Sequence, residues 1–198
     1  MEREFKWKAN AKDFESILRY LNLSEIAPLE MRADYYDTSD RLLRARKIAL
    51  RMRYEGDTRM CCLKLRDASN DGLHVHEEYE CPAATLSEGL QALTAQGAPT
   101  DLCSALRNTA LDAVCQTKFL RRRAIWSDPM FTAELSFDFG TLGCAGHEIT
   151  VSEIECEQKS GDDAAFEEAC QLIAHRFSLK PEARSKLSRA LDLERKQP

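Results

Sequence analysis

Glu2, Glu4 and Lys6 alternate with Arg3 and Phe5 at the start of the chain, and Glu153, Glu155 and Glu157 alternate with Ile154 and Cys156 towards its other end. In an extended strand every second side chain shares a face, so each run projects its charged groups to one side. Two carboxylate rows on one surface repel unless something cationic sits between them, and hard divalent ions such as Mg²⁺ or Mn²⁺ favour carboxylate oxygens. The same spacing recurs with basic residues at Arg51/Arg53, Lys64/Arg66 and Arg121/Arg123, and with acids at Glu78/Glu80 and along Glu134, Ser136 and Asp138. A half-buried strand ordinarily turns mixed polar residues to water; here the polar face is almost all charge. A single pair of this kind fits a solvated sheet surface, but a whole series interleaved with apolar residues does not. Closed into a barrel, such strands would turn the charged face inward, with acids to hold metal and Arg or Lys to hold a polyanion.

The elements that must carry these rows can be read along the chain. Strands are expected at 1–8, 28–37, 48–54, 59–66, 73–81, 114–126, 131–139 and 148–157, with a turn at Glu55-Gly56-Asp57 and polar loops at 67–72 and 140–146. Helical periodicity marks 13–23, where Phe14, Ile17, Leu18 and Leu21 form one stripe, and 162–177. A helical insertion is expected at about 86–113, interrupted by Gly97-Ala98-Pro99, and a C-terminal helix at about 182–193, introduced by Pro181. The predicted fold is α+β: a closed eight-stranded antiparallel β-barrel with peripheral helices covering its outer apolar face, in one domain over 1–198. Trp7 and Trp126 are assigned to packing.

With 43% hydrophobic residues the chain can bury one substantial core, and its net charge of −5 argues against non-specific binding to nucleic acid or membrane. No apolar run approaches the roughly 20 residues that span a bilayer. Eight cysteines show no Cys-x-x-Cys spacing, so reduced, partly buried thiols in a cytoplasmic protein are expected. His74 and His76 share a strand face without a cysteine at metal-ligand spacing.

The Glu-x-Glu-x-Lys of Glu2, Glu4 and Lys6, the order of basic and acidic pairs after it, and the late acidic strand resemble the CYTH, or triphosphate tunnel metalloenzyme, superfamily over nearly the whole chain. The stretch from Ser152 to Asp162, with Ser185-Lys186-Leu187-Ser188-Arg189, is similar to the bacterial inorganic triphosphatase branch. The resemblance implies a triphosphate-binding tunnel that uses Mg²⁺ or Mn²⁺ for hydrolysis. It implies Glu2, Glu4 and Glu155 as ligands of a first metal, with Glu157, Asp138 and Glu80 near a second. Lys6, Arg51, Arg53, Lys64, Arg66, Arg121, Arg123 and Lys186 would neutralise phosphate oxygens, and Glu4, Lys6 and Lys186 would be catalytic. The expected partner is a small-molecule triphosphate, with no protein partner evident. Class IV adenylyl cyclases and thiamine triphosphatases share the triphosphate grip, and a non-catalytic polyphosphate- or nucleotide-binding module is the alternative of another class.

Overall fold

The computed structural model describes residues 1–196, with the side chains of 66–70, 195 and 196 excepted. Its frame is an antiparallel barrel of eight strands: β1 (Glu2–Lys8), β2 (Glu25–Asp37), β3 (Ala49–Glu55), β4 (Thr58–Asn70), β5 (Leu73–Pro82), β6 (Asp112–Ser127), β7 (Phe131–Cys144) and β8 (His147–Gly161). The strands follow the order β5-β4-β3-β2-β6-β7-β8-β1, and β1 closes the ring by pairing Glu2–Phe5 with Leu73–His76 of β5. A two-residue strand, β9 (Lys180–Pro181), takes the place of β5 along the rest of that edge, opposite Trp7 and Lys8. Closure leaves no long edge unpaired, which suits strands of this length.

Apolar residues on the outer faces decide where the helices go. Helix α1 (Ala11–Leu21) starts at a reciprocal cap in which Asn10 and Asp13 satisfy each other's backbone N–H groups, and it buries Phe14, Ile17 and Leu18. Together with α5 (Asp163–Arg176), capped by Asp162, it covers the outward Phe5, Trp7, Trp126, Phe131, Leu135 and Phe137. A second cluster, around Leu50, Leu63, Leu90, Leu93 and Leu106, joins the short α2 (Leu42–Ala45), α3 (Leu86–Ala95) and α4 (Thr100–Arg107) to β3, β4 and β5. A third lies on the inner faces, where Tyr35, Cys115, Leu142, Cys144 and Val151 pack against α6 (Lys186–Leu191), a short helix that plugs the barrel interior, and the following 3-10 turn, Asp192–Lys196. No helix among the described residues is long and apolar enough to cross a membrane.

Several boundaries differ from the expected ones. The loops anticipated at 67–72 and 140–146 are mostly strand. Their turns shrink to Asp71-Gly72 and Ala145-Gly146, each with both residues at positive φ, the geometry that suits the twist of a hairpin. Gly72 is required: an added Cβ would lie 2.8 Å from that of Pro181, on the segment that completes the seam. The last helix begins at Lys186 rather than near Glu182, because Glu182 donates its N–H to the Lys6 carbonyl and so extends the β1 seam, while Ser185 supplies the cap.

Gly140 holds β6 and β7 together at a tight bend. A Cβ there would stand 2.1 Å from the Lys118 carbonyl oxygen and 2.5 Å from Phe119 Cα, both backbone atoms that cannot rotate away. Gly140→Ala is expected to cost about 1–3 kcal/mol through overpacking, read as a lower urea midpoint at unchanged m-value. An unshifted midpoint would contradict the packing described.

Candidate active site: a charged tunnel

The barrel interior is a cavity of about 800 Å³ whose wall is built largely of the alternating charged residues. Lining it are Glu2, Glu4 and Lys6 from β1, Arg51 and Arg53 from β3, Lys64 from β4, Glu78 and Glu80 from β5, Arg121 and Arg123 from β6, Glu155 and Glu157 from β8, and Lys186 from α6. Asp138 is fully buried behind this wall, clamped by Arg121. The side chain of Arg66 lies outside the described residues.

Register explains the convergence. Glu4 faces Glu157 and Lys6 faces Glu155 across β1–β8, Arg121 faces Asp138 across β6–β7, and Asp138 faces Glu153 across β7–β8. Lys186 then enters from α6. Its Nζ lies 2.8 Å from both Asp138 and Glu155 and also pairs with Glu153. The Arg121 fork gives two 2.7 Å bonds to Asp138 and one of 2.6 Å to Glu155. Lys6 lies 3.2 Å from both Glu4 and Glu155. Burial would drive the Glu155 carboxyl up, but Lys186, Lys6 and Arg121 outweigh it and hold that group well below the usual carboxylate range. Glu4 is lowered in the same way, chiefly by Lys6 against its burial.

On the opposite wall Lys64 Nζ lies 2.6 Å from Glu78, 2.8 Å from His76 Nε2 and 3.1 Å from Glu2. Burial alone would lower the His76 imidazole, but hydrogen bonds to Glu2 and Glu78 raise it to about 9. The Lys64 ammonium opposes that protonation, yet two carboxylates against one ammonium leave the imidazolium favoured. Arg51 reaches Glu78 at 3.4 Å and the Tyr35 hydroxyl at 3.2 Å, and Arg53 reaches Glu80 at 2.8 Å. Even so, the Nε donors of Arg51 and Arg123 are buried without a hydrogen-bond partner. An unmatched buried guanidinium donor is costly unless an acceptor arrives, and an anion in the cavity would supply it.

The acids have spare capacity of the opposite kind. Burial and the neighbouring Glu2 push Glu157 up to about 7, so carboxylates at this end are crowded beyond what the local cations offset. Three sets of donors, Glu2–His76–Glu78, Cys62–Glu78–Glu80 and Asp138–Glu153–Glu155, each bring their ligand atoms within 4.8 Å of one another. Lys64 already sits against the first set and Lys186 against the third. The oxygen-rich donors that line the open cavity fit a hard divalent cation.

Sequence reasoning passed over Tyr35 and the Arg189–Glu182 pair that backs the Lys186 cluster, and it weighed His76 only as a metal ligand beside His74. His76 stands two residues before Glu78, so one further step of the same alternation reaches it. Arg189 is three residues beyond Lys186 on α6 and binds Glu153, with Glu182 3.8 Å away on its other side. Glu182, the middle of that chain, carries no periodic signal.

A CYTH domain model matches residues 1–191, and the chain belongs to the CYTH family. Within that family it is 31% identical over 128 residues to an inorganic triphosphatase of Haemophilus influenzae, a match covering 65% of this chain and 36% of that protein. The matched region thus spans about a third of the relative's length. Among solved structures it is similar to HpAC1 of Hippeastrum, named as an adenylyl cyclase and described as having a dominant triphosphatase activity, at 18% identity and a TM-score of 0.68 over 97% of this chain and 96% of that one. It is also similar to the PH1819 protein of Pyrococcus horikoshii, at 18% identity and a TM-score of 0.65 over 99% and 100% of the two chains. At these identities the structural likeness concerns the fold.

Proposed function

We propose that this chain hydrolyses inorganic triphosphate to pyrophosphate and phosphate in a reaction that depends on Mg²⁺ or Mn²⁺. The observation that carries the reading is the pair of buried guanidinium groups, Arg51 and Arg123, with unpartnered Nε donors on a cavity wall that also bears exposed-to-cavity carboxylates. A pure anion binder would gain nothing from those acids. The curated relative's activity agrees with it.

In this reading Arg51, Arg53, Arg121 and Arg123 grip phosphate oxygens through paired N–H groups, and Lys6, Lys64 and Lys186 act as point charges. Glu2, Glu4 and Glu155 would hold a first divalent ion, with Glu157 and Glu80 near a second; Asp138, expected beside that second ion, is instead fully buried and occupied by Arg121 and Lys186. When bound, such ions polarise phosphoryl oxygens and acidify a coordinated water. Asp138, enclosed by Arg121 and Lys186, fixes the direction of both cations. Phosphoryl transfer asks for positioning and charge neutralisation, which this arrangement provides without a nucleophilic side chain.

Leu29, Met31 and Ile48 give the cavity an apolar stretch that could receive an organic group, so ATP and thiamine triphosphate belong in the same assay. The test is product analysis with Mg²⁺ or Mn²⁺, resolving phosphate, pyrophosphate and cyclic AMP. Fast phosphate release from tripolyphosphate with weak turnover of ATP is the expected result. Cyclic AMP with pyrophosphate would make the protein a cyclase, a preference for thiamine triphosphate would make it that phosphatase, and no metal-dependent turnover of any would make it a binding module.

A further inference from the structure

All eight cysteines are free and buried, and six of them stand as neighbours. Cys61 faces Cys81 across β4–β5, Cys115 faces Cys144 across β6–β7, and Cys156 of β8 and Cys170 of α5 share one buried cluster. We propose that Cys115 and Cys144 are an oxidisable dithiol, a modification site for a hydroperoxide, whose closure staples β6 to β7 beneath the C-terminal turn.

Directly opposed residues of an antiparallel ladder have Cα atoms about 4.5–5.5 Å apart, inside the roughly 4.4–6.8 Å that a disulfide spans. The Cys144 thiol donates to the Val114 carbonyl oxygen, 3.2 Å away on the neighbouring strand and next to Cys115. Residues 115 and 144 also line a second cavity, of about 390 Å³, shared with Lys118, His147 and Glu148 and large enough to admit a peroxide. Each of the other two pairs includes a cysteine with no exposure, Cys61 in one and both Cys156 and Cys170 in the other. Gly89 of α3 lies so close over Cys61 that an added Cβ would be 2.5 Å from its sulfur, and Cys156 and Cys170 sit within the core that holds Phe5, Trp7 and Phe166.

The reaction balances with one peroxide. The Cys144 sulfur attacks one peroxide oxygen, the O–O bond breaks, and the sulfur becomes a sulfenic acid as the first water leaves. The Cys115 sulfur displaces the second water and the S–S bond forms, so two sulfurs lose two electrons and the peroxide gains them. Cys144 is the attacking sulfur because it is the more exposed of the two, at 5% against 2%. Burial pushes both thiols up, so closure answers sustained rather than brief oxidation.

The whole chain would be incubated with hydrogen peroxide, digested without reduction and mapped by mass spectrometry, with melting followed in parallel. A Cys115–Cys144 linked peptide, lighter by two hydrogens and separated by dithiothreitol, is expected, with a reversible rise in Tm of about 5 °C or more from closing the intervening loop. Cys115→Ala and Cys144→Ala should each abolish both changes, and either one suffices if the other fails to fold. A link at Cys61–Cys81 or Cys156–Cys170 in its place, no link after prolonged exposure, or a link that leaves Tm unchanged would overturn the proposal. None of these readouts depends on triphosphate turnover.

Discussion

Lys186→Met is expected to abolish tripolyphosphate turnover and to lower stability by about 3–5 kcal/mol. The ammonium is the meeting point of Asp138, Glu153 and Glu155, and the first two of these have no exposure to solvent. Methionine fills much of the same volume but returns no charge. Arg121 still serves Asp138 and Glu155, Lys6 still serves Glu155, and Arg189 still serves Glu153, so the cluster keeps three of its cations and loses the one that all three acids share. Phe119, whose ring centre is 5.0 Å from the ammonium, loses its cationic neighbour as well. For a chain of this size the loss corresponds to a fall in Tm of about 6–20 °C. A variant that melts with the parent and still turns over substrate would show that Lys186 is an ornament of the plug helix.

Glu4→Gln and Glu155→Gln, by contrast, should damage turnover more than folding. Each replacement keeps the shape and removes a charge that would bind metal, and turnover of tripolyphosphate should fall by about 10²–10³-fold or more, the range seen when one electrostatic contact to a transition state is removed. The two differ in their structural cost. Glu4 bonds Lys6 at 3.2 Å, whereas Glu155 serves Lys186, Arg121 and Lys6 together. Glu155→Gln should therefore melt below Glu4→Gln, while both keep the parent's circular dichroism spectrum. Unchanged turnover in both variants would remove the proposed metal site. Adding Mn²⁺ should raise the parent's Tm through binding to the folded state and raise that of either variant less.

Much of this arrangement is legible in the sequence because a barrel wall obeys a two-residue period. Glu2/Glu4/Lys6, Arg51/Arg53, Arg121/Arg123 and Glu155/Glu157 announce both a strand and the face it turns inward, so the eight-stranded closure follows from local patterns. What the period cannot show is which groups consume one another. Asp138 reads as an equal of Glu157, yet the register sets it opposite Arg121 and buries it, while Glu157 faces Glu4 at the cavity. Nor can it show contacts made by irregular backbone. Lys180–Pro181 has no strand signature, because its place is fixed by the β1 edge that β5 leaves free and by the close approach of Gly72. The underestimated strand ends have a similar origin: Gly140 looks like a loop residue but is the one that lets β6 and β7 touch.

The seam along β1 also sets an order of events during synthesis. Glu4 and Lys6 leave the ribosome ahead of the other barrel strands, but their partners across the ladder, Glu157 and Glu155, follow about 150 positions later, and the segment that finishes the edge at Lys180–Pro181 later still. β1 to β5 can meet while the chain is growing, with the β8 side of β1 waiting as an open, charge-bearing edge. Pairing over such separations is slow because loop closure precedes any reward. The charged residues that would handle substrate therefore protect the nascent strand too: a ribbon that reads Glu-Arg-Glu-Phe-Lys has four charged residues in five and stays hydrated until its distant neighbour emerges.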